Sequence, residues 1–476
     1  MTKLNANNAP HTRYDIPAIA PLRAAPLTGS IFRSKQNYFI LMMVKRIDDC
    51  FYREGRESAL LSHDCAIAQF KARVAPLTAS ISLGLTAAQG RICAEDVVAP
   101  RQVPGHANAA VDGYAFASGS LQPEGPGKLK IVARVTAGQP IDREIKAGEA
   151  VRIFTGAVLP DGCDTIIMQE ACEVLDADMP AAFNPTGFVR IAAGVAKGAN
   201  IRSAGEDIGK GAKLLKTGDV IRPQDIAALA SVGLAHVTCF VPPRVAIISS
   251  GKEIVRAGAT SSLAHGQVYD TNAPMLLALA ATAGATATDF GVLADHPETI
   301  ADTLRDAAGS FDLILTSGGA GHGEEDHIAR AIRTCGTCYF RHIAIKPGKP
   351  LLFARIGTAL IVGLPGNPVA AFVCFVMYVR PLIRRLGGAP WMEPRRFPLP
   401  AAFDAARRKT GRREFWRGFI REEAGTLVVE KFVHDGSGLI SSLRAADGLI
   451  DIHENVSSVR KGDIVNFIPF SEFGLA

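Results

Sequence analysis

Between Arg244 and Pro368 short apolar runs, glycine-rich turns and helical stretches alternate, and no other feature of the chain constrains its fold as tightly. Val245-Ala246-Ile247-Ile248 runs into Ser249-Ser250-Gly251-Lys252-Glu253, and Leu313-Ile314-Leu315 into Thr316-Ser317-Gly318-Gly319-Ala320-Gly321-His322-Gly323-Glu324-Glu325-Asp326. Leu360-Ile361-Val362 runs into Gly363-Leu364-Pro365-Gly366-Asn367-Pro368. Helical patterns over 272–283, 297–308, 325–333 and from Pro368 separate these strands, with further strands near 286–289 and 351–353. Strands alternating with helices predict a doubly wound, mostly parallel sheet. Ligands of such sheets sit outside the carboxyl ends of the strands. The glycine turns fall at those ends, where exposed backbone N–H groups and helix N-termini favour an oxyanion.

The remaining text divides the chain further. Residues 1–58 are rich in Pro, Asn, Ala and Arg and read as a disordered extension, with Met42 or Met43 as an alternative start. Ile67, Phe70, Val74 and Leu77 repeat with helical spacing. With a second helical pattern near 225–232, they suggest a small helical linker domain built from 59–82 and 206–240. Residues 83–205 carry short apolar runs broken by Gly, Pro and Asp and predict a β-rich domain. The α/β domain covers 241–392. Residues 393–476 return to strand patterns and predict a small C-terminal β-barrel or sandwich. The fold class is therefore multi-domain α/β plus β.

Composition narrows the partners. Lys and Arg number 52 against 46 Asp and Glu, a net charge of +6 spread along the chain, and Trp and Tyr together number nine. That suits small anions and argues against nucleic acid. No apolar run approaches a membrane span. Cys335-Gly336-Thr337-Cys338 lacks the second half of a zinc site and reads as structural thiols. Scattered cysteines and the lack of a secretory leader point to the cytoplasm.

The residues of the turns suggest chemistry. Asp326 follows the glycine turn at a point where a carboxylate can hold Mg²⁺ beside phosphate oxygens. Glu324 and Glu325 also suit a helix N-terminus for its dipole alone. Asn367 and Pro368 read as an N-cap and first helical residue, which is a sound helix start whether or not anything binds there. Lys346 and Lys349 flank the rigid Pro347-Gly348 and are candidate anion ligands; Glu253 and Asp295 follow predicted strands. Read unaided, the residues support an oxyanion- or nucleotide-binding α/β domain with a metal.

Taken together, the motifs resemble the molybdopterin molybdenumtransferase family, the MoeA/gephyrin type, over about residues 60–476. Asp112-Gly113-Tyr114-Ala115, Thr155-Gly156, Gly205-Glu206-Asp207-Ile208, Gly266-Gln267-Val268-Tyr269-Asp270-Thr271-Asn272, Ser317-Gly318-Gly319, Lys346-Pro347-Gly348-Lys349-Pro350 and Leu364-Pro365-Gly366-Asn367-Pro368 follow the family's order. The resemblance implies a MogA-like α/β domain and a Mg²⁺-assisted enzyme. Such an enzyme inserts molybdenum from molybdate into adenylylated molybdopterin and releases AMP. It also implies an elongated homodimer whose cleft joins the α/β domain of one subunit to the β-rich domain of the other. A molybdopterin adenylyltransferase and molybdoenzyme apoproteins are the implied protein partners, with neither nucleic acid nor membrane.

Carried over by position, the resemblance makes Asp112, Thr155, Asp207, Glu253, Asp295 and Asp326 the catalytic set, with Asp326 and Asp295 as metal ligands. Ser317, Gly318, Gly319, Lys346, Lys349, Pro365, Gly366, Asn367 and Pro368 become the molybdopterin and anion site. Arg413 and Ser437 align as molybdate contacts. The chain has Gly321 and Ala370 where the family usually has serines, and Lys252 where it has an acid. A diverged adenylyltransferase and a non-catalytic molybdopterin-binding scaffold are the alternative readings.

Overall fold

A computed structural model describes residues 60–121, 126–175, 187–293, 297–318 and 327–475. The expectations for residues 1–58, and those for Asp295, Gly319, Gly321 and Asp326, lie outside the described residues.

The α/β domain is built on a six-stranded sheet. Its strands lie in the order Thr286–Leu293, Arg244–Ser250, Leu313–Ser317, Ala359–Leu364, Pro350–Ile356 and Thr337–His342. The first four run parallel; the last two are antiparallel to their neighbours. Side-chain alternation along the strands produces two separate cores. Val245, Ile247, Leu313, Leu315 and Val362 face the helices Asn272–Thr282 and Pro368–Cys374. Ala246, Ile248, Ile314 and Ile361 face the helices Pro297–Ser310 and His327–Cys335. Central strands buried on both faces explain their continuous apolar text.

The helix His63–Arg73 departs from the expected layout. The sequence reading groups it with the linker, yet Ala66, Ile67, Phe70 and Val74 are buried in the core of the α/β sheet. Phe70 lies 4.2 Å from the Phe353 ring, and Arg355 Nη2 donates to the carbonyl of Arg73 at 3.1 Å. The physical reason is apolar area: the helix has a buried face that the short strands following it cannot cover. The linker region itself is mostly strand. Ser80–Gly84 pairs with His236–Phe240 and Val97–Val98 with Lys213–Leu215, and the helix Pro223–Ser231 packs beside them through Leu229 over Cys93, Leu215, Val237 and Cys239.

The β-rich domain holds a six-stranded sheet ordered Thr165–Met168, Gly113–Phe116, Glu149–Ile153, Gly127–Val135, Phe188–Ile191, Cys172–Leu175. Ala115, Val151 and Ile153 form the core on one face; Tyr114, Phe116 and Ile131 form it on the other.

The C-terminal strands close into a small barrel. Arg413–Glu423 pairs with Gly448–Ile452, which pairs with Ile464–Pro469, which pairs with Phe397–Pro400. An Ala401–Val429 bridge then reaches Thr426–Lys431, which pairs back with Arg413–Glu423. The α/β domain contributes one more strand: Ile345–Lys346 runs parallel to Arg413 and Glu414. No helix among the described residues is long and apolar enough to cross a membrane.

Candidate functional site

A cavity of about 650 Å³ opens at the carboxyl ends of the strands Arg244–Ser250 and Leu313–Ser317. The chain passes from Arg244–Ser250 outward to Thr286–Leu293, then back across to Leu313–Ser317, so the cavity lies at the switch point of the sheet. Ser250, Glu253, Asn272, Ser317, Gly318 and Gly366 are among its lining residues. Gly318 has φ +90°, and a Cβ there would collide with the carbonyl oxygen of Ser250. Only glycine lets this turn come so close to the neighbouring strand end.

The Pro365-Gly366-Asn367-Pro368 turn forms the adjoining wall. Pro368 opens the helix Pro368–Cys374, but the Asn367 side chain makes no cap hydrogen bond; it lines the cavity instead. The Ser437 loop docks against the same helix start, with Val369 N donating to the Ser437 carbonyl at 3.0 Å, and its neighbour Gly438 lines the cavity. Ala370 is buried within the helix.

Asp270 and Asn272, absent from the expected set, organise this end of the sheet. Asp270 accepts from Ser249 Oγ at 2.5 Å, Arg256 Nη1 at 2.6 Å and the backbone N–H groups of Asn272 and Ala273 at 3.0 Å each. Asn272 Nδ2 donates to Ser317 Oγ and to the Gly366 carbonyl, both at 2.7 Å. The signal was present in Tyr269-Asp270-Thr271-Asn272, where a carboxylate and an amide stand at a helix start.

Two of the expected residues, Asp112 and Thr155, meet on the β-rich domain. Thr155 donates its backbone N–H and its hydroxyl to Asp112 Oδ1, at 2.8 and 2.7 Å. Those two bonds, the backbone N–H first, hold the Asp112 carboxyl below the usual carboxylate range. The loop bearing Asp207 is held through the backbone to another part of this region: Asp207 N donates to Val103 O at 3.1 Å, and Ile201 and Arg202, just before it, pair with Ala109 and Asn108. Among the described residues, the hydrogen bonds of Asp112 and Thr155 stay within this domain.

The lysine segment has a second setting. Lys346 is exposed and stands 3.6 Å from Glu414 Oε2. With Arg407, Arg408, Lys409, Arg412 and Lys431 it lines a separate cavity of about 540 Å³ on the barrel. The sequence reading misses this concentration of cations because Lys346 and the arginines meet only through the Ile345–Lys346 strand. Lys349 is half-buried, and its carbonyl accepts from Ile343 N. Arg413 is placed differently from the expectation of an anion contact. Its Nε and Nη2 grip Asp451 at 2.7 and 2.9 Å, and Arg396 Nε reaches the same carboxylate at 2.7 Å. Burial pushes the Asp451 carboxyl up, but the two guanidinium groups more than offset it and hold it below its ordinary value.

Comparison with known proteins agrees with this architecture. Residues 61–233 match the family model described as "MoeA N-terminal region (domain I and II)". Residues 246–385 match "Probable molybdopterin binding domain", and 400–470 match "MoeA C-terminal region (domain IV)". A Haemophilus influenzae molybdopterin molybdenumtransferase is 35% identical over 82% of this chain and 93% of its own length. The chain belongs to the molybdopterin molybdenumtransferase family. A second relative in that family, molybdopterin molybdenumtransferase 2 of Mycobacterium tuberculosis, is 31% identical over 84% of this chain and 96% of its own. The crystal structure of a Pyrococcus horikoshii molybdopterin biosynthesis MoeA protein is similar to this one with a TM-score of 0.73 at 27% identity. It covers 86% of this chain and 100% of that one. The sheet-end cavity falls within the molybdopterin-binding region of the family apart from Gly438 and Ile440, which the C-terminal region supplies, and the cationic cavity falls within that C-terminal region apart from Lys346.

A magnesium ion calls for oxygen donors. Glu253, Ser250 and Ser317 around the cavity are of that kind. Among the described residues no group of three His, Cys, Asp or Glu side chains is placed to hold a metal ion.

Proposed function

We propose that this protein is a molybdopterin molybdenumtransferase that acts on adenylylated molybdopterin and molybdate and releases AMP. The observation that carries this reading is the sheet-end cavity, whose walls are the Gly318 and Gly366–Pro368 turns and whose rim holds Glu253. Hydroxyls and close backbone suit the phosphates and pterin of such a substrate.

The chain's own work is placement and charge. Ser317 and the Gly366 turn bind and orient the substrate. Lys346 and Lys349 attract molybdate, a dianion, and the cationic cavity on the barrel raises its local concentration. An oxygen nucleophile, from molybdate or water, attacks the phosphorus on the molybdopterin side of the pyrophosphate; the bond from that phosphorus to the bridging oxygen breaks, and AMP leaves with that oxygen and its electron pair. Preorganised positive charge and alignment are the main sources of rate in phosphoryl transfer of this kind. Asp295 and Asp326 would hold Mg²⁺, which when bound neutralises phosphate charge.

The Asp112–Thr155 pair and Asp207 complete the site in this reading from the β-rich domain of a second copy, in a homodimer that works in the cytoplasm. Supporting this, Asp112 and Thr155 pair on the β-rich domain, and among the described residues their hydrogen bonds stay within it. Incubation with adenylylated molybdopterin, Mg²⁺ and molybdate tests the reading: AMP and insertion-competent cofactor form together. Binding without AMP release would overturn it.

A further inference from the structure

The side chain that ties the sheet-end cavity together belongs to none of the roles above. Asn272 is 6% exposed and sits at the first turn of the helix Asn272–Thr282. Its Nδ2 donates to Ser317 Oγ and to the Gly366 carbonyl, both at 2.7 Å. A carbonyl only accepts, so the amide orientation is fixed by Gly366. Its Oδ1 is buried and has no hydrogen-bond partner.

Two consequences follow from this geometry. The amide ties the end of the strand Leu313–Ser317 to the turn after Ala359–Leu364, extending by a side chain the backbone ladder that pairs Ser317 with Leu364, so it holds the Gly366 turn in place beyond the last ladder bond. It also sets the polarity of Ser317. Because Ser317 Oγ accepts from Asn272, the Ser317 hydroxyl proton is directed away from the amide and left to donate. Asp270 holds the asparagine in place from behind by accepting the N–H groups of Asn272 and Ala273, while Ser249 and Arg256 hold Asp270.

We infer that Asn272 is a positioning residue for the substrate of the sheet-end cavity: its carboxamide braces the Gly366 turn against the end of the strand Leu313–Ser317 and aims the Ser317 hydroxyl at a ligand oxygen. This inference rests on the function proposed above. An apolar residue of the same size would leave the Gly366 carbonyl and the Ser317 hydroxyl without their partner. An ionised aspartate would place a carboxylate against the Gly366 carbonyl. A protonated aspartate would donate to it again.

The test compares wild type, Asn272→Ala and Asn272→Asp, with thermal unfolding of each. Steady-state AMP release from adenylylated molybdopterin is measured between about pH 5.5 and 8, the range over which a desolvated carboxyl can titrate. Asn272→Ala raises KM about tenfold or more, the scale of one buried donor lost, and the loss falls on KM rather than kcat. Asn272→Asp matches it at the alkaline end and regains affinity as the pH falls, while Asn272→Ala shows no such recovery. Wild-type KM in both variants, or a pH profile common to all three proteins, would overturn the inference. Should Asn272→Ala not fold, the pH-dependent recovery of Asn272→Asp decides alone. If the wild type releases no AMP, the proposed function fails separately. Equilibrium binding of molybdopterin to the same proteins then decides the role of Asn272, with weaker binding in the variants supporting it and equal or absent binding overturning it.

Discussion

Thr155 reaches Asp112 twice, through its backbone N–H and through its hydroxyl, and both bonds end on the same oxygen. The arrangement leaves Asp112 Oδ2 outside the pair and keeps the carboxyl ionised to lower pH than an ordinary aspartate. Thr155→Ala removes one of the two bonds, so the Asp112 carboxyl rises toward its ordinary value. The acid limb of the pH–rate profile for AMP release is then expected to move to higher pH, with a loss at neutral pH of about tenfold. Thr155→Ser keeps both bonds and keeps the wild-type profile. An unshifted acid limb in Thr155→Ala would separate Asp112 from the reaction.

Gly348 lies between the two lysines of the anion segment with φ +113°, and a Cβ there would stand 2.5 Å from Cys374 Sγ and 2.9 Å from Ile345 Cδ1. Gly348→Ala therefore combines backbone strain with overpacking. It is expected to lower stability by about 1–3 kcal/mol in urea unfolding and to displace Lys346 and Lys349. Molybdate binding should weaken with it. Cys374→Ala adds room beside Gly348, so the double variant should recover part of the loss that Gly348→Ala causes.

Arg413 and Arg412 are neighbours with opposite settings. Arg413 has a side chain 11% exposed and pairs with Asp451, whose side chain is fully buried, whereas Arg412 is exposed and lines the cationic cavity. Asp451→Ala leaves buried guanidinium groups without their carboxylate and should cost about 3–5 kcal/mol of stability. Arg412→Ala should leave the melting transition in place and weaken binding of molybdate about threefold or more, with the difference shrinking at high salt. The reverse pattern would mean that Arg413 faces the anion.

His63 is buried against Tyr378, sharing a 2.6 Å hydrogen bond through Nδ1, and burial, with Arg413 adding to it, pushes its pKa down to about 4. A base whose folded pKa lies below its unfolded value favours the neutral form in the fold. The stability linked to it is complete above about pH 6.5 and is lost as the pH falls through 4, amounting to about 3 kcal/mol. Urea unfolding at neutral and mildly acid pH checks this. His63→Gln should flatten the decline over that interval while lowering stability at neutral pH.

The α/β sheet was legible because its central strands are buried on both faces, and continuous apolar runs ending in glycine are hard to read otherwise. The sheet-end cavity was legible for the same reason, since the glycine turns mark strand ends. The helix His63–Arg73 was not, because its partners Phe353 and Tyr378 lie roughly three hundred residues on, and periodicity names an apolar face without naming what covers it. The Arg413–Asp451 pair and the cationic cavity failed to appear for a related reason. A surface charge and a buried ion pair use the same residue types, and only the barrel's closure distinguishes Arg413 from Arg412. Asp270 and Asn272 stood inside a motif that fitted, but their hydrogen bonds to Ser249, Ser317 and Gly366 exist only once three strand ends meet.

In the function proposed above, the pocket at the sheet's carboxyl edge converts adenylylated molybdopterin and molybdate to molybdenum cofactor. The most direct test of that function is a single-turnover reaction of the purified protein with both substrates and Mg²⁺, following AMP and the ability of the product to activate a cofactor-free molybdoenzyme. AMP and active cofactor are expected in equal amounts, and omitting molybdate is expected to remove the active cofactor. Tight binding of the substrate with neither product formed would contradict it.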